Sequence, residues 1–152
     1  MAAEKSKSGR RTGGPEEAVF LELARTVEAL SHPVVQLLKG RELSPTQYNV
    51  LRILRGSPEG LTCGSIGDRM VTRDPDITRL LDRLEKRKLI ERSRDQKDRR
   101  IVLSRITAEG LELLAELDTP MHDTHHRMLG HLGAQRLSQL SELLTACRAK
   151  LG

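Results

Sequence analysis

Aromatic residues are almost missing from this sequence: its 152 residues include one Phe, one Tyr and no Trp. A core without rings has to be aliphatic, so leucine must do most of the packing. Cysteine is as scarce. Cys63 and Cys147 stand far apart and in no paired motif, which argues against a disulfide framework or a zinc ribbon and leaves reduced thiols as the expectation. No run approaches the roughly 18 uninterrupted apolar residues of a membrane span, and the first residues have no apolar signal core. A cytoplasmic protein with no membrane partner is therefore expected. A Gly-rich phosphate loop, a nucleophile elbow and a paired His/Glu hydrolase motif are also lacking, so neither an enzyme nor a cofactor is expected.

What is present is charge. Hydrophobic residues make up 37% of the chain and charged residues 31%, which suits a soluble helical protein of one folding unit. The net charge of +5 is concentrated: Lys and Arg outnumber Asp and Glu by 12 to 7 over residues 72–105, whereas acids outnumber bases by 6 to 4 over 106–152. A focused positive charge suits a polyanion, because each cation that neutralises a phosphate releases condensed counterions. A merely solvated charged face is the alternative.

Residues 1–14 carry Lys5, Lys7, Arg10 and Arg11 among Ser, Gly and Ala, too little apolar surface to stay ordered, and read as a disordered basic arm. From Pro15, the residues Phe20, Leu23, Val27, Leu30, Val34 and Leu37 recur at alternating spacings of three and four, like a coiled-coil seam. Pro33 should kink that helix or cost it a turn. Ser44-Pro45-Thr46-Gln47 is a helix start with a capping box, followed by Tyr48, Leu51 and Leu54 on one side. Thr62 can cap a short helix with Ile66 and Met70, weakened by Gly64 and Gly67.

A third helix is expected to begin at Thr72 or Asp74, with Pro75 in its first turn. Its buried stripe is Ile77, Leu80, Leu81 and Leu84, so Arg79, Asp82 and Lys86, flanked by Asp76, Thr78 and Arg83, face outward. A hairpin should follow, with strands at 90–94 and 100–106 around a polar turn and with Ile101 and Leu103 pointing inward. Thr107 caps a long helix with Leu111, Leu114, Leu117 and Met121 on one side, and Pro120 inside it. The last helix, after Gly133, repeats Leu137, Leu140, Leu144, Cys147 and Leu151 at seam spacing.

Three short helices and a hairpin, in that order, form a winged helix-turn-helix, whose third helix fits the major groove and whose wing suits a narrow minor groove. The fold class expected is mainly α with a small β-hairpin wing, flanked by dimerisation helices. The segments Pro75-Asp76-Ile77-Thr78-Arg79-Leu80-Leu81-Asp82-Arg83-Leu84-Glu85, Asp95-Gln96-Lys97-Asp98-Arg99-Arg100 and Ile106-Thr107-Ala108-Glu109-Gly110 resemble the MarR family of bacterial regulators. The resemblance implies a single domain over 15–152, with 15–43 and 107–152 for dimerisation and 44–106 as the winged module. It further implies a homodimer on a palindromic operator in double-stranded DNA and a small aromatic or phenolic effector. The protein would then be a sequence-specific, ligand-responsive repressor; an architectural DNA-binding protein without a ligand is the alternative.

Carried over position by position, Thr78, Arg79 and Arg83 are the candidate groove contacts, supported by Arg73, Asp76 and Lys86. Arg99 is the candidate wing tip, with Lys97 beside it and Arg100 braced by Asp98. Lys88 stands where the family commonly has glycine, which puts the end of the third helix in question. If the outer face is only solvated, Asp82–Lys86 is the pair expected at i, i+4. His122, His125 and His126 are adjacent on a helix and are candidate metal ligands. With Asp123 as the only carboxylate nearby, a solvent-facing patch is the preferred reading. Cys63, at a helix start, is a candidate redox thiol, although redox-sensing relatives carry their cysteine near the start of the first helix, where this chain has none.

Overall fold

The computed structural model describes residues 13–152; the expected basic arm lies outside them except for Gly13 and Gly14. The chain runs α1 (Pro15–Lys39), α2 (Pro45–Arg55), α3 (Cys63–Arg69), α4 (Ile77–Lys86), β1 (Ile90–Arg94), β2 (Val102–Ile106), α5 (Ala108–Leu129), a 3-10 turn and α6 (Gly133–Ala149). It divides between His32 and Pro33 into two units. In the first, α1 carries exposed Val19, Phe20 and Val27, while Thr26 and Ser31 return their hydroxyls to the carbonyls of Glu22 and Val27. Pro33 costs α1 no turn, and the helix is assigned without a break from Pro15 to Lys39.

The second unit has one aliphatic core, drawn from Leu38, Val50, Leu51, Leu54, Ile66, Leu80, Leu81, Leu84, Leu89, Ile90, Leu114, Leu117 and their neighbours. The capping box at Ser44 forms as expected: its hydroxyl accepts the Gln47 N–H, and the Gln47 side chain accepts the Ser44 N–H. Thr62 caps α3 by accepting the Ser65 N–H. Arg69 then reaches the buried hydroxyl of Ser57 at 3.0 Å, so the glycine-weakened helix is held by tertiary contacts.

Helix α4 begins later than its sequence suggests. Asp74 accepts the Asp76 N–H at 2.8 Å in a local turn, and Asp76 is the residue that caps the helix, accepting the Arg79 N–H. Proline disfavours the helical conformation in the residue before it, so Pro75 keeps Asp74 out of the helix. At the other end Lys88 does take the left-handed conformation, with φ of 60°. Leu89 donates to the Leu84 carbonyl and Lys88 to that of Glu85, a complete Schellman turn with lysine in the glycine position.

In the hairpin β1 pairs antiparallel with β2, Ile90 opposite Ile106 and Arg92 opposite Ser104. The inward phase is opposite to the one expected. Ile101 precedes β2 and is exposed, while Ser104 is buried; its N–H and C=O both pair with Leu61, so it lies between β1 and a third stretch of backbone. In α5 the buried residues are Gly110, Leu114, Leu117, Met121 and Thr124, and Leu111 is exposed. A Cβ on Gly110 would lie 2.4 Å from the Leu89 carbonyl oxygen, and that close approach fixes the rotation of the helix. No residue of α6 is buried; Leu140 and Leu143 are exposed, and Leu151 lies past the helix end.

Candidate nucleic-acid interface

With Leu80, Leu81 and Leu84 buried, α4 leaves Thr78, Arg79, Arg83 and Lys86 exposed. Arg73 is exposed on the loop before the helix. Asp76 is occupied twice, as the helix cap and as partner of the Arg79 guanidinium at 3.3 Å. It positions Arg79 and has few free lone pairs for a ligand. Arg79 and Arg83 line a cleft of about 420 Å³ with Ser44, Thr46 and Gln47 from the start of α2. The sequence reading missed these α2 residues. Their capping box is legible in the sequence, but its position facing α4 is a tertiary fact.

The wing hangs from α4 through Arg92. This guanidinium bonds to both Asp82 and Glu85, and the Glu85 carboxylate also accepts the Arg92 N–H. The expected Asp82–Lys86 pair is therefore replaced, since a single nitrogen of Arg92, Nη2, donates to two carboxylates one turn apart. The hydrogen bond from Arg92, against a smaller opposing effect of burial, holds the Glu85 carboxyl below its usual range. So Arg92, although part of the basic hairpin, is turned into the protein.

At the tip, Arg94 donates to the Arg99 carbonyl at 2.7 Å, and Asp95 accepts the Asp98 N–H. Asp98 accepts both the backbone and the side chain of Arg100, as expected of a bracing residue; those bonds lower the Asp98 pKa. Among the described residues, the side chains of Lys97 and Arg99 have no hydrogen-bond or ion-pair partner. Two braced arginines thus hold the loop, and two free cations are displayed on it.

The histidines do not converge. His122 and His126 stack at 6.4 Å between ring centroids, whereas His125 lines a separate, mainly apolar pocket of about 320 Å³ with Val34, Leu38, Tyr48, Val71 and Thr72. Among the described residues no three His, Cys, Asp or Glu side chains are grouped as metal ligands would be. Cys63 is half-buried and Cys147 exposed, both free thiols. No helix among the described residues is long and apolar enough to cross a membrane.

Comparison with known proteins bears on this arrangement. The model of the MarR family matches residues 43–102, from the residue before the α2 cap to the start of β2. A MarR transcription factor from Planctomyces limnophilus, known from its crystal structure, is 39% identical; the match covers 90% of this chain and 99% of that one, with a TM-score of 0.68. The PcaV transcriptional regulator of Streptomyces coelicolor, crystallised with its natural ligand, is 26% identical over the full length of both chains, with a TM-score of 0.72. The HTH-type transcriptional regulator MhqR of Bacillus subtilis (strain 168) is 25% identical over 126 residues, which is 83% of this chain and 86% of that one.

Proposed function

This chain belongs to the MarR family of transcription regulators, and from that premise we propose that it is a ligand-responsive repressor binding a palindromic operator as a homodimer. The observation that carries the reading is the division of labour among the arginines. Arg92 and Arg100 are engaged by carboxylates, while Thr78, Arg83, Lys86, Lys97 and Arg99 are left exposed on α4 and the wing. In this reading Arg79 and Arg83 contact base edges, supported by Arg73, Asp76, Thr78 and Lys86, and Arg99 with Lys97 enters the adjacent minor groove while Arg100 shapes the loop. The Ser44 and Thr46 hydroxyls, which line the same cleft as Arg83 and hydrogen-bond to each other at 3.0 Å, leave one O–H to donate to a phosphate.

Residues 44–106 form the reading module, and 15–43 with 107–152 the dimerisation segments, acting in the cytoplasm where the DNA is. Exposed Val19, Phe20 and Val27 on α1, and Leu140 and Leu143 on α6, support a second copy as partner. The apolar pocket beside His125 is the effector site, suited to a small aromatic or phenolic molecule: mostly hydrocarbon wall, with a histidine and hydroxyl groups at its edge. A ligand that binds better to a dimer with differently spaced α4 helices lowers operator affinity by that difference in free energy.

DNA selection with the purified protein, followed by footprinting and a ligand screen on the duplex recovered, tests this. A two-fold symmetric footprint, released by a phenolic or aromatic acid, is expected. Uniform, steeply salt-dependent binding to any duplex would instead establish an architectural protein.

A further inference from the structure

Helix α4 is tied down at both ends, and by different means. Its start is held locally by Asp76. Its end is held from 45 residues away: Arg87, the C-cap residue, donates from Nη1 to the Glu42 carbonyl at 2.6 Å and from Nη2 to the Arg41 carbonyl at 3.1 Å.

Those two carbonyls belong to the corner between α1 and α2. The corner is itself a Schellman turn, in which Leu43 donates to the Leu38 carbonyl and Glu42 to that of Lys39, with Glu42 at a φ of 55°. A helix C-terminus is the negative end of the helix dipole, and a guanidinium fork can satisfy two of its carbonyls at once. The same corner is also tied to α5, where the Arg41 side chain pairs with Glu116 at 2.6 Å. Helix α4, the α1–α2 corner and α5 are thus joined in series by two arginines.

We propose that Arg87 is a positioning residue for operator binding: it touches no DNA, and by clamping the end of α4 to the α1–α2 corner it sets the separation between the two α4 helices of the dimer. The inference rests on the dimeric operator reading above. Its physical basis is that base-edge hydrogen bonds tolerate only a few tenths of an ångström. The Asp76 cap and the Lys88 Schellman turn are made within α4 and its own terminal turns, so neither ties the helix to the corner. The Arg87 fork does, so α4 moves with the corner and α5 and half-site spacing becomes a property of the dimer. Because both terminal nitrogens of Arg87 already donate to carbonyls, the residue is poorly placed to act as a phosphate contact.

The test uses the duplex selected by the wild-type protein and two derivatives with one base pair inserted or removed between the half-sites. Each is titrated with wild type, Arg87→Ala and Arg87→Lys by fluorescence anisotropy over a salt series, after circular dichroism and sedimentation have shown matching fold and mass. Wild type should lose about tenfold or more on altered spacing, while Arg87→Ala binds the native spacing about tenfold more weakly, distinguishes the spacings by less than about threefold, and keeps the wild-type salt slope. Arg87→Lys, which can reach one carbonyl, should fall between them; if Arg87→Ala does not fold, the spacing discrimination of the Lys variant decides. Undiminished spacing discrimination in the variants overturns the proposal. So does a salt slope reduced by about one, since that marks a lost phosphate contact. If the selection yields no symmetric duplex, the dimeric operator reading itself has failed, and the role of Arg87 falls with it.

Discussion

Single positions carry two kinds of information here: what the backbone demands and what a side chain is free to do. Lys88 occupies the left-handed region at a φ of 60°, a conformation that costs a residue with a Cβ about 1–2 kcal/mol. Glycine would remove that strain but add unfolded-state entropy, so Lys88→Gly should stabilise by about 0.5–1 kcal/mol net. The check is a urea titration, in which the midpoint should rise at constant slope; an unmoved midpoint would mean that the lysine is not strained. Arg99 is the opposite case, a side chain without a structural duty among the described residues. Arg99→Ala should weaken operator binding about tenfold, or about 1.4 kcal/mol, and leave the melting temperature unchanged. Gel-shift titration reads the first and thermal unfolding the second, and unchanged binding would remove the wing-tip assignment.

Around the aliphatic core, three arginines also link one element to another. Arg92 joins β1 to α4, Arg55 joins α2 to α5 through Asp118, and Arg41 joins the α1–α2 corner to α5. Hydrogen bonds from their arginines lower the pKa of Glu85 and of Asp118. A carboxyl whose folded pKa is depressed contributes stability that is present above its unfolded value, about 4.5 for Glu85, and lost as the pH falls through the folded value. Glu85→Gln should therefore lower stability at neutral pH and flatten the acid limb, so that the difference from wild type shrinks below about pH 4. Urea midpoints from pH 7 to pH 3 measure this; a difference that grows toward acid would contradict the assigned sign. The order of the helices was legible because leucine spacing encodes one buried face per helix. The α5 stripe was legible for Leu114, Leu117 and Met121, but not for Leu111, whose place on the buried side is taken by Gly110, where the Leu89 carbonyl leaves no room for a Cβ. The phase of β2 was not legible: Ser104 lies between β1 and the Leu61 backbone, and both contacts join segments distant in sequence.

At the scale of the molecule, apolar residues are left uncovered on α1 and on α6, where Leu140 and Leu143 are exposed. Burying such side chains against a second copy would gain about 25 cal/mol for each Å² of apolar surface. Leu140→Glu should shift the protein from dimer to monomer in sedimentation velocity while keeping its helical circular dichroism, and should weaken operator binding along with dimerisation. A dimer that survives Leu140→Glu would place the interface elsewhere. The sequence by itself determined the helical order, the aliphatic core, the capping box at Ser44 and the concentration of arginine in residues 72–105, because each is written in local spacing and composition. Only the tertiary structure decided which of those arginines are available. Arg87 and Arg92 cannot be told from Arg83 and Arg99 by sequence position, and they are withdrawn because carbonyls of the α1–α2 corner and carboxylates of α4 come within hydrogen-bond reach once the chain has folded.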